Sequence, residues 1–172
     1  MSTRFDPNTA LACIEVESIN HFGAVEAMLQ ALIASEGFAS ARFDSLEGIT
    51  TAGAPCAPAT MAAFLDRGIP ISQAYGLTEA GPSNFHNPRA GQTLAGLRAS
   101  ASSIGQALAY SDWALVERHQ GSAVSAGAVG ELYLRSAHNF SGYWDDPAQT
   151  TERLSADGWV ATGDLARERP DG

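Results

Sequence analysis

The residues best equipped for chemistry in this chain are a tyrosine, a threonine and two carboxylates set in glycine-containing turns. In QAYGLTEAGP, Gln73 to Pro82, the residues Tyr75, Gly76, Thr78 and Glu79 close a strand-like run. A turn between strands needs a glycine, which Gly76 supplies, but not a threonine and a carboxylate aimed into the same space. An aromatic face stacks a base and a glycine lets backbone come close. A hydroxyl meets a phosphate oxygen, and a carboxylate holds Mg²⁺. The expectation is a nucleotide and magnesium station. On the pentapeptide alone, a plain strand turn with an exposed Thr-Glu pair is an equal alternative.

Two further stretches invite the same question. Thr51 to Pro55, TAGAP, ends the preceding strand-like run with small residues against which a flat ring could lie; standing alone it reads as an ordinary strand-to-helix turn. Gly158 to Asp164, GWVATGD, puts an acid after a tight turn. That carboxylate could accept both ribose hydroxyls, each bond worth roughly 1.5–3 kcal/mol, or it could cap its own turn. Gly130-Glu131-Leu132, and Gly142-Tyr143-Trp144 with Pro147 and Thr150, read as structural. Tyr143 and Trp144 are expected in the core or at a subdomain interface.

The elements that must position these residues alternate at first between helix and strand. Asp6-Pro7 opens a helix to about Glu17, Ile19–Ala24 reads as a strand, and Val25–Ser35 as a helix. Strands at Leu46–Ala52 and Ile69–Tyr75 flank a helix at Pro58–Arg67 that stops at Gly68. This is parallel α/β organisation through about residue 84. Residues 82–103 read as a long connection. Asp112–His119 and Val129–Ser136 are then strands joined by QGSAVSAGA, with Leu132 and Leu134 on one face and Glu131, Tyr133 and Arg135 on the other. Asp146-Pro147 opens a short helix to about Leu154, and DGWVATGDLARER reads as a pair of strands about a glycine turn. The expected fold is a partial α/β subdomain over 1–84 and a mainly antiparallel, barrel-like β subdomain over 85–172. It reads as truncated at both ends, because Pro170-Asp171-Gly172 is a turn with no returning strand.

Bulk properties narrow the partners. The chain has 172 residues, 45% of them hydrophobic, and a formal net charge of −9. Such a chain repels a phosphate backbone overall, so nucleic acid and anionic membrane are not expected partners. With no long apolar run and no apolar signal region, a soluble, cytoplasmic protein is expected. Cys13 and Cys56 read as buried small hydrophobes, and His21, His86, His119 and His138 make no metal pattern. All ten positive side chains are arginines, so no mechanism that needs a lysine is completed by this polypeptide alone.

The order Gly-Ala-Pro, Tyr-Gly-Leu-Thr-Glu, Gly-Glu-Leu, Gly-Tyr-Trp-x-x-Pro-x-x-Thr, Thr-Gly-Asp closely resembles the adenylate-forming (AMP-binding) superfamily, of acyl-CoA synthetase/ligase type, from about Phe5 to Gly172. The resemblance implies activation of a carboxylic acid with ATP, release of pyrophosphate and transfer of the acyl group from acyl-AMP to a thiol, usually coenzyme A. It implies that Gly53, Ala54 and Pro55 border the adenine and Tyr75 stacks on it after the close approach allowed by Gly76. Thr78 then touches the α-phosphate, Glu79 holds Mg²⁺ and Asp164 binds the ribose. The Asn20–Met28 region, with His21 and Phe22, and Ala80-Gly81 resemble segments lining the acyl pocket.

The family's lysine-bearing phosphate loop and its lysine-bearing C-terminal domain are expected outside this chain. An inactive isolated chain follows, prone to self-association or needing the missing halves of the enzyme. The alternative is a non-catalytic remnant or a split-enzyme half serving as a nucleotide-binding module. Departures from the family pattern are Ala52 for a glycine, Gly105-Gln106-Ala107-Leu108-Ala109-Tyr110 for a Gly-x-Pro-x-Pro-Gly run, Arg135-Ser136-Ala137 for Arg-Gly-Pro, and Glu26 for a proline. Glu26 near an acyl pocket would repel a carboxylate substrate.

Overall fold

A computed structural model describes residues 4–88, 90–118 and 121–170. They fall into two compact units, one of Met1–Ala74 with Asn87–Gly105 and one of Tyr75–His86 with Gln106–Gly172. The single boundary expected at 84/85 is thus replaced by an excursion, in which the chain leaves the first unit at Ala74, returns at Asn87 and leaves again after Gly105.

The first unit is parallel α/β. Helix α1 (Pro7–Val16) starts where the sequence predicts, with Asp6 accepting a hydrogen bond from the Thr9 amide at 2.7 Å and Pro7 in the first turn. Strands β1 (His21–Ala24), β2 (Gly48–Thr51) and β3 (Ile71–Leu77) run parallel, with His21 opposite Gly48 and Ile49 opposite Ile71. Parallel neighbours need crossovers, which α2 (Glu26–Ala34) and α3 (Pro58–Leu65) provide. Gly68, at φ 77°, ends the turn after α3. The core gathers Leu29, Leu32, Ile49, Met61, Phe64 and Ile71, with Phe38 edge-on to Phe64 at 5.3 Å.

The expected long connection at 82–103 is corrected, because it contains strand β4 (Gly81–His86) and helix α4 (Leu94–Ala99). Thr93 caps α4 by accepting from the Gly96 amide at 3.1 Å, and Leu97 is buried in the first unit's core. Six residues with a glycine inside them carry too little periodicity to be read as a helix.

The second unit is mainly antiparallel. Strand β4 pairs with β5 (Gln106–Ala107), and β6 (Asp112–Val116), β7 (Val129–Arg135) and β8 (Val160–Arg167) form a sheet in that order. No closed barrel forms among the described residues. Strand β6 stops at Val116, and His119 lies outside the described residues, as does the Asp171-Gly172 part of the terminal turn. The expected pair of strands in DGWVATGDLARER is a single strand, β8, whose register with β7 shifts between Glu131 and Tyr133. Leu132 and Leu134 are buried as expected, but Glu131 is buried too, at 7% exposure. Trp144 is 98% exposed, so it is a surface residue rather than a core or interface aromatic. Cys13 is exposed, against expectation, and Cys56 buried; both are free thiols. Among the described residues no helix is long and apolar enough to cross a membrane, and no group of His, Cys, Asp and Glu is arranged to hold a metal by itself.

Candidate functional site

In the first unit, the chain leaves β2 through Gly53, Ala54 and Pro55, all exposed. Gly53 has φ 86°, and a Cβ there would meet only Val25 Cγ1 at 3.7 Å, so the backbone angle rather than crowding calls for glycine. The loop is then pinned. The Cys56 amide donates to Gln73 Oε1 at 2.9 Å, and Gln73 Nε2 donates to the Ala101 carbonyl at 2.7 Å. Glu26 Oε1 accepts from the Ala57 amide at 3.0 Å, from Thr60 Oγ1 at 3.2 Å and from Gln30 Nε2 at 3.0 Å. Ala57, the N-cap of α3, has no side chain for the task, so a carboxylate from α2 caps α3 instead. Burial first, and Glu26 second, push the Cys56 thiol up to about 11. His21 is exposed beside Glu47, 3.6 Å away, while half-buried Phe22 packs on the core.

In the second unit, β3 runs on to Leu77, so the turn lies at Thr78–Ala80 and not at Gly76. The Ala80 amide donates to the Leu77 carbonyl at 3.2 Å to close it. Gly81 follows at φ 93°, and a Cβ there would sit 2.9 Å from His138 Cβ, so the strained, crowded glycine of the stretch is Gly81. Gly76 has no positive φ. Thr78 is exposed, Glu79 half-buried and Ala80 fully buried.

Two tyrosine–carboxylate pairs organise this region. The Tyr75 hydroxyl donates to Asp164 Oδ2 at 2.6 Å, and the Tyr143 hydroxyl donates to Glu79 Oε1 at 2.6 Å. Burial, followed by the bond to Asp164, pushes the Tyr75 phenol well above its ordinary value. The bond to Glu79, followed by burial, raises Tyr143. Both phenols therefore keep their protons through neutral pH and remain donors. The Tyr75 ring also stands edge-on to Phe85, centroids 6.3 Å apart.

The surrounding motifs explain how each carboxylate is aimed. Gly163, at φ 82°, bulges β8, and its amide donates to Glu131 Oε1 at 3.1 Å. Arg118 lies 3.7 Å from the other oxygen of Glu131, so that buried acid is paired and hydrogen-bonded. Thr162 Oγ1 donates to the Leu132 carbonyl at 2.7 Å and accepts from the Asp164 amide at 3.1 Å, which leaves the Asp164 carboxylate facing Tyr75 rather than capping its own turn. On the other side, Asp146 caps α5 (Pro147–Arg153) by accepting from the Gln149 amide at 2.9 Å. Thr150 Oγ1 accepts from the Tyr143 amide at 2.9 Å, and a Cβ on Gly142 would lie 2.8 Å from Thr150 Cγ2. The Gly-Tyr-Trp-x-x-Pro-x-x-Thr pattern is thus a knot that presents Tyr143 to Glu79.

Leu77, Glu79, Tyr143, Gln149, Arg153, Ala161 and Thr162 line a partly open cavity of about 170 Å³. Mg²⁺ keeps several waters and takes one or two carboxylates plus phosphate oxygens. Glu79, with Oε2 making no hydrogen bond among the described residues, fits that donor set. Asp164 Oδ1 is similarly open for a neutral hydroxyl. Sequence reasoning missed Tyr143, Gln73 and Arg153 as residues acting at or near these loops. Tyr143 was visible only as part of a motif, Gln73 as a polar residue inside an apolar strand, and Arg153 carried no signal.

A family model described as "AMP-binding enzyme" matches residues 1–144. A feruloyl-CoA synthase of Amycolatopsis sp is 34% identical over 173 residues, covering 100% of this chain and 34% of the relative. The putative acyl-CoA synthetase YngI of Bacillus subtilis (strain 168) is 34% identical over 170 residues, covering 98% of the chain and 30% of the relative. Among solved structures, the amide bond synthetase McbA from Marinactinospora thermotolerans superimposes with a TM-score of 0.84 at 29% identity, covering 99% of this chain and 34% of that one. The chain spans about a third of the length of the curated relatives it matches. With the fold, the order of the motifs and the family model in agreement, this chain belongs to the AMP-binding enzyme family.

Proposed function

We propose that the second unit carries the metal and ribose side of an adenine-nucleotide site, serving ATP-dependent activation of a carboxylic acid and its transfer to a thiol such as coenzyme A. The observation that carries this reading is the pair of tyrosine–carboxylate contacts within one unit: Asp164 held by Tyr75, and Glu79 held by Tyr143 in a cavity that Thr162 also lines. Asp164 would accept the ribose hydroxyls, and Tyr75, kept neutral, would offer its ring to the base. Thr78, exposed at the turn, would reach the α-phosphate. Glu79 would hold Mg²⁺, which supplies charge neutralisation between phosphates as in-line displacement proceeds. The adenine role of Gly53, Ala54 and Pro55 rests on the motif match alone. His21, Phe22, Ala80 and Gly81 keep an acyl-pocket role by motif only, and the fully buried Ala80 would act as backing rather than as surface.

With arginine as its only cation, the chain by itself is proposed to bind nucleotide without completing ligation. Calorimetric titration with ATP in millimolar Mg²⁺ tests the reading. Binding that weakens about tenfold or more in Asp164→Ala supports it, since hydrogen bonds to a charged group are worth roughly 1.5–3 kcal/mol each. A folded chain that takes up no nucleotide rejects it.

A further inference from the structure

Leu165 pairs with Glu131 and Ala161 with Tyr133, so between these pairs β8 sets Thr162, Gly163 and Asp164 against Leu132 alone on β7. The extra residues arch off the ladder, and their backbone groups need other partners. Two side chains supply them. Thr162 Oγ1 accepts from the Asp164 amide at 3.1 Å and donates to the Leu132 carbonyl at 2.7 Å. Glu131 Oε1 accepts from the Gly163 amide at 3.1 Å. Gly163, at φ 82°, is where the strand turns aside, and the next residue is Asp164. Thr162 belongs to the arch it ties. Glu131 reaches the arch from the neighbouring strand, and so fixes where it stands relative to the sheet.

Stability alone does not call for an acid here. Glu131 is buried in β7, and its cationic neighbour, Arg118, stands 3.7 Å away with 58% of its own side chain exposed. An apolar side chain of similar size would avoid the cost of burying a charge, but it would offer the Gly163 amide no acceptor. Beyond the arch, Asp164 Oδ2 meets the Tyr75 hydroxyl at 2.6 Å. The contacts thus run from Arg118 through Glu131 and the arch to the Asp164 carboxylate. We propose that Glu131 is the positioning residue of Asp164: by holding the Gly163 amide it fixes the arch that aims this carboxylate, and so sets how well a nucleotide's sugar hydroxyls are recognised. Only the last clause rests on the reading of Asp164 as the ribose residue.

The whole 172-residue chain tests it as wild type, Glu131→Met, Glu131→Gln and Asp164→Ala, each checked for native circular dichroism. With ¹³C-labelled tyrosine, the Cζ resonance of Tyr75, assigned by its absence from Tyr75→Phe, reports the contact with Asp164 before any ligand is added. Calorimetry with ATP and with 2′,3′-dideoxy-ATP, both in millimolar Mg²⁺, separates loss of sugar contacts from general loss of binding. In Glu131→Met the Tyr75 resonance should move towards its Asp164→Ala position. ATP binding should weaken about three- to tenfold while dideoxy-ATP binding is unchanged. Glu131→Gln keeps an oxygen for the Gly163 amide but turns an amide group on Arg118, and should recover part of both. A Tyr75 resonance unmoved in Glu131→Met overturns the inference. So does an equal loss for the two nucleotides where Asp164→Ala separates them, since a merely structural role would weaken both. If the resonance moves but Asp164→Ala does not separate the nucleotides, or neither binds, Glu131 still positions Asp164 and the ribose reading fails. Should Glu131→Met not fold, Glu131→Asp decides: its shorter side chain should move the resonance in the same direction, and an unmoved one overturns the inference.

Discussion

Two loops leave the carboxyl ends of parallel strands in this chain, and the carboxylates that meet them are used in opposite ways. After β2, the Glu26 carboxylate places one oxygen on the Ala57 amide, Thr60 and Gln30, and buried Gln73 satisfies the Cys56 amide and the Ala101 carbonyl. At β3 and its turn, Glu79 and, from β8, Asp164 each accept from a tyrosine hydroxyl through one oxygen, and the other oxygen makes no hydrogen bond among the described residues. Backbone groups left unpaired inside a protein are costly, so the first arrangement holds the fold. A carboxylate that a neutral donor orients, without neutralising it, is equipped to meet a ligand, and the second arrangement is the one proposed to serve chemistry.

The contrast is sharpest under substitution. Gln73→Leu leaves the Cys56 amide and the Ala101 carbonyl without partners, at roughly 1–3 kcal/mol each, so urea unfolding should show a loss of about 2–5 kcal/mol. A loss below about 1 kcal/mol would mean that Gln73 is no clasp. Glu26→Ala uncaps α3 and should cost about 1–2 kcal/mol while leaving Mn²⁺ binding unchanged, with Glu26→Gln recovering part of the stability. Tyr143→Phe should show the reverse pattern: a stability change below about 1 kcal/mol, but metal binding about tenfold weaker, as expected when a ligand's orienting partner is removed. Equal effects on stability and binding in both variants would erase the distinction between the loops.

The smallest effect concerns Cys56. Its folded-state value of about 11 stands above the ordinary 9.0, so folding favours the neutral thiol. That contribution is complete below pH 9 and is lost as pH rises from 9 towards 11. Cys56→Ala should flatten this part of the stability curve. At neutral pH a thiol reagent should modify exposed Cys13 well before Cys56.

The parallel half of the fold was legible because its signals are local: Asp6-Pro7, Gly68 and apolar runs of the right length. What escaped depended on contacts distant in sequence. Strand β4 buries Asn84 completely, its Nδ2 donating to the Ala80 carbonyl at 2.9 Å and to Ser111 Oγ at 3.1 Å, a polar pattern that reads as loop. Glu131 was assigned to the polar face by simple alternation, but its burial follows from the Gly163 bulge, which gives it an amide to accept from. Tyr75, Glu79 and Asp164 stood out by residue type and spacing. That Tyr143 presides over Glu79 did not, since the partnership spans 64 residues. Glu26 accepts hydrogen bonds at the start of α3, a role that no spacing within α2 could reveal.

The central claim is that Glu79 and Asp164 serve one nucleotide, metal on the first and ribose on the second. A crystal of the chain grown with ATP and Mn²⁺, with diffraction recorded at the manganese edge, tests it most directly. The account predicts an anomalous peak at coordination distance from Glu79, about 2 Å, with ribose hydroxyls at hydrogen-bond distance from Asp164. A peak ligated by other residues, or a ribose bound away from Asp164, would contradict it.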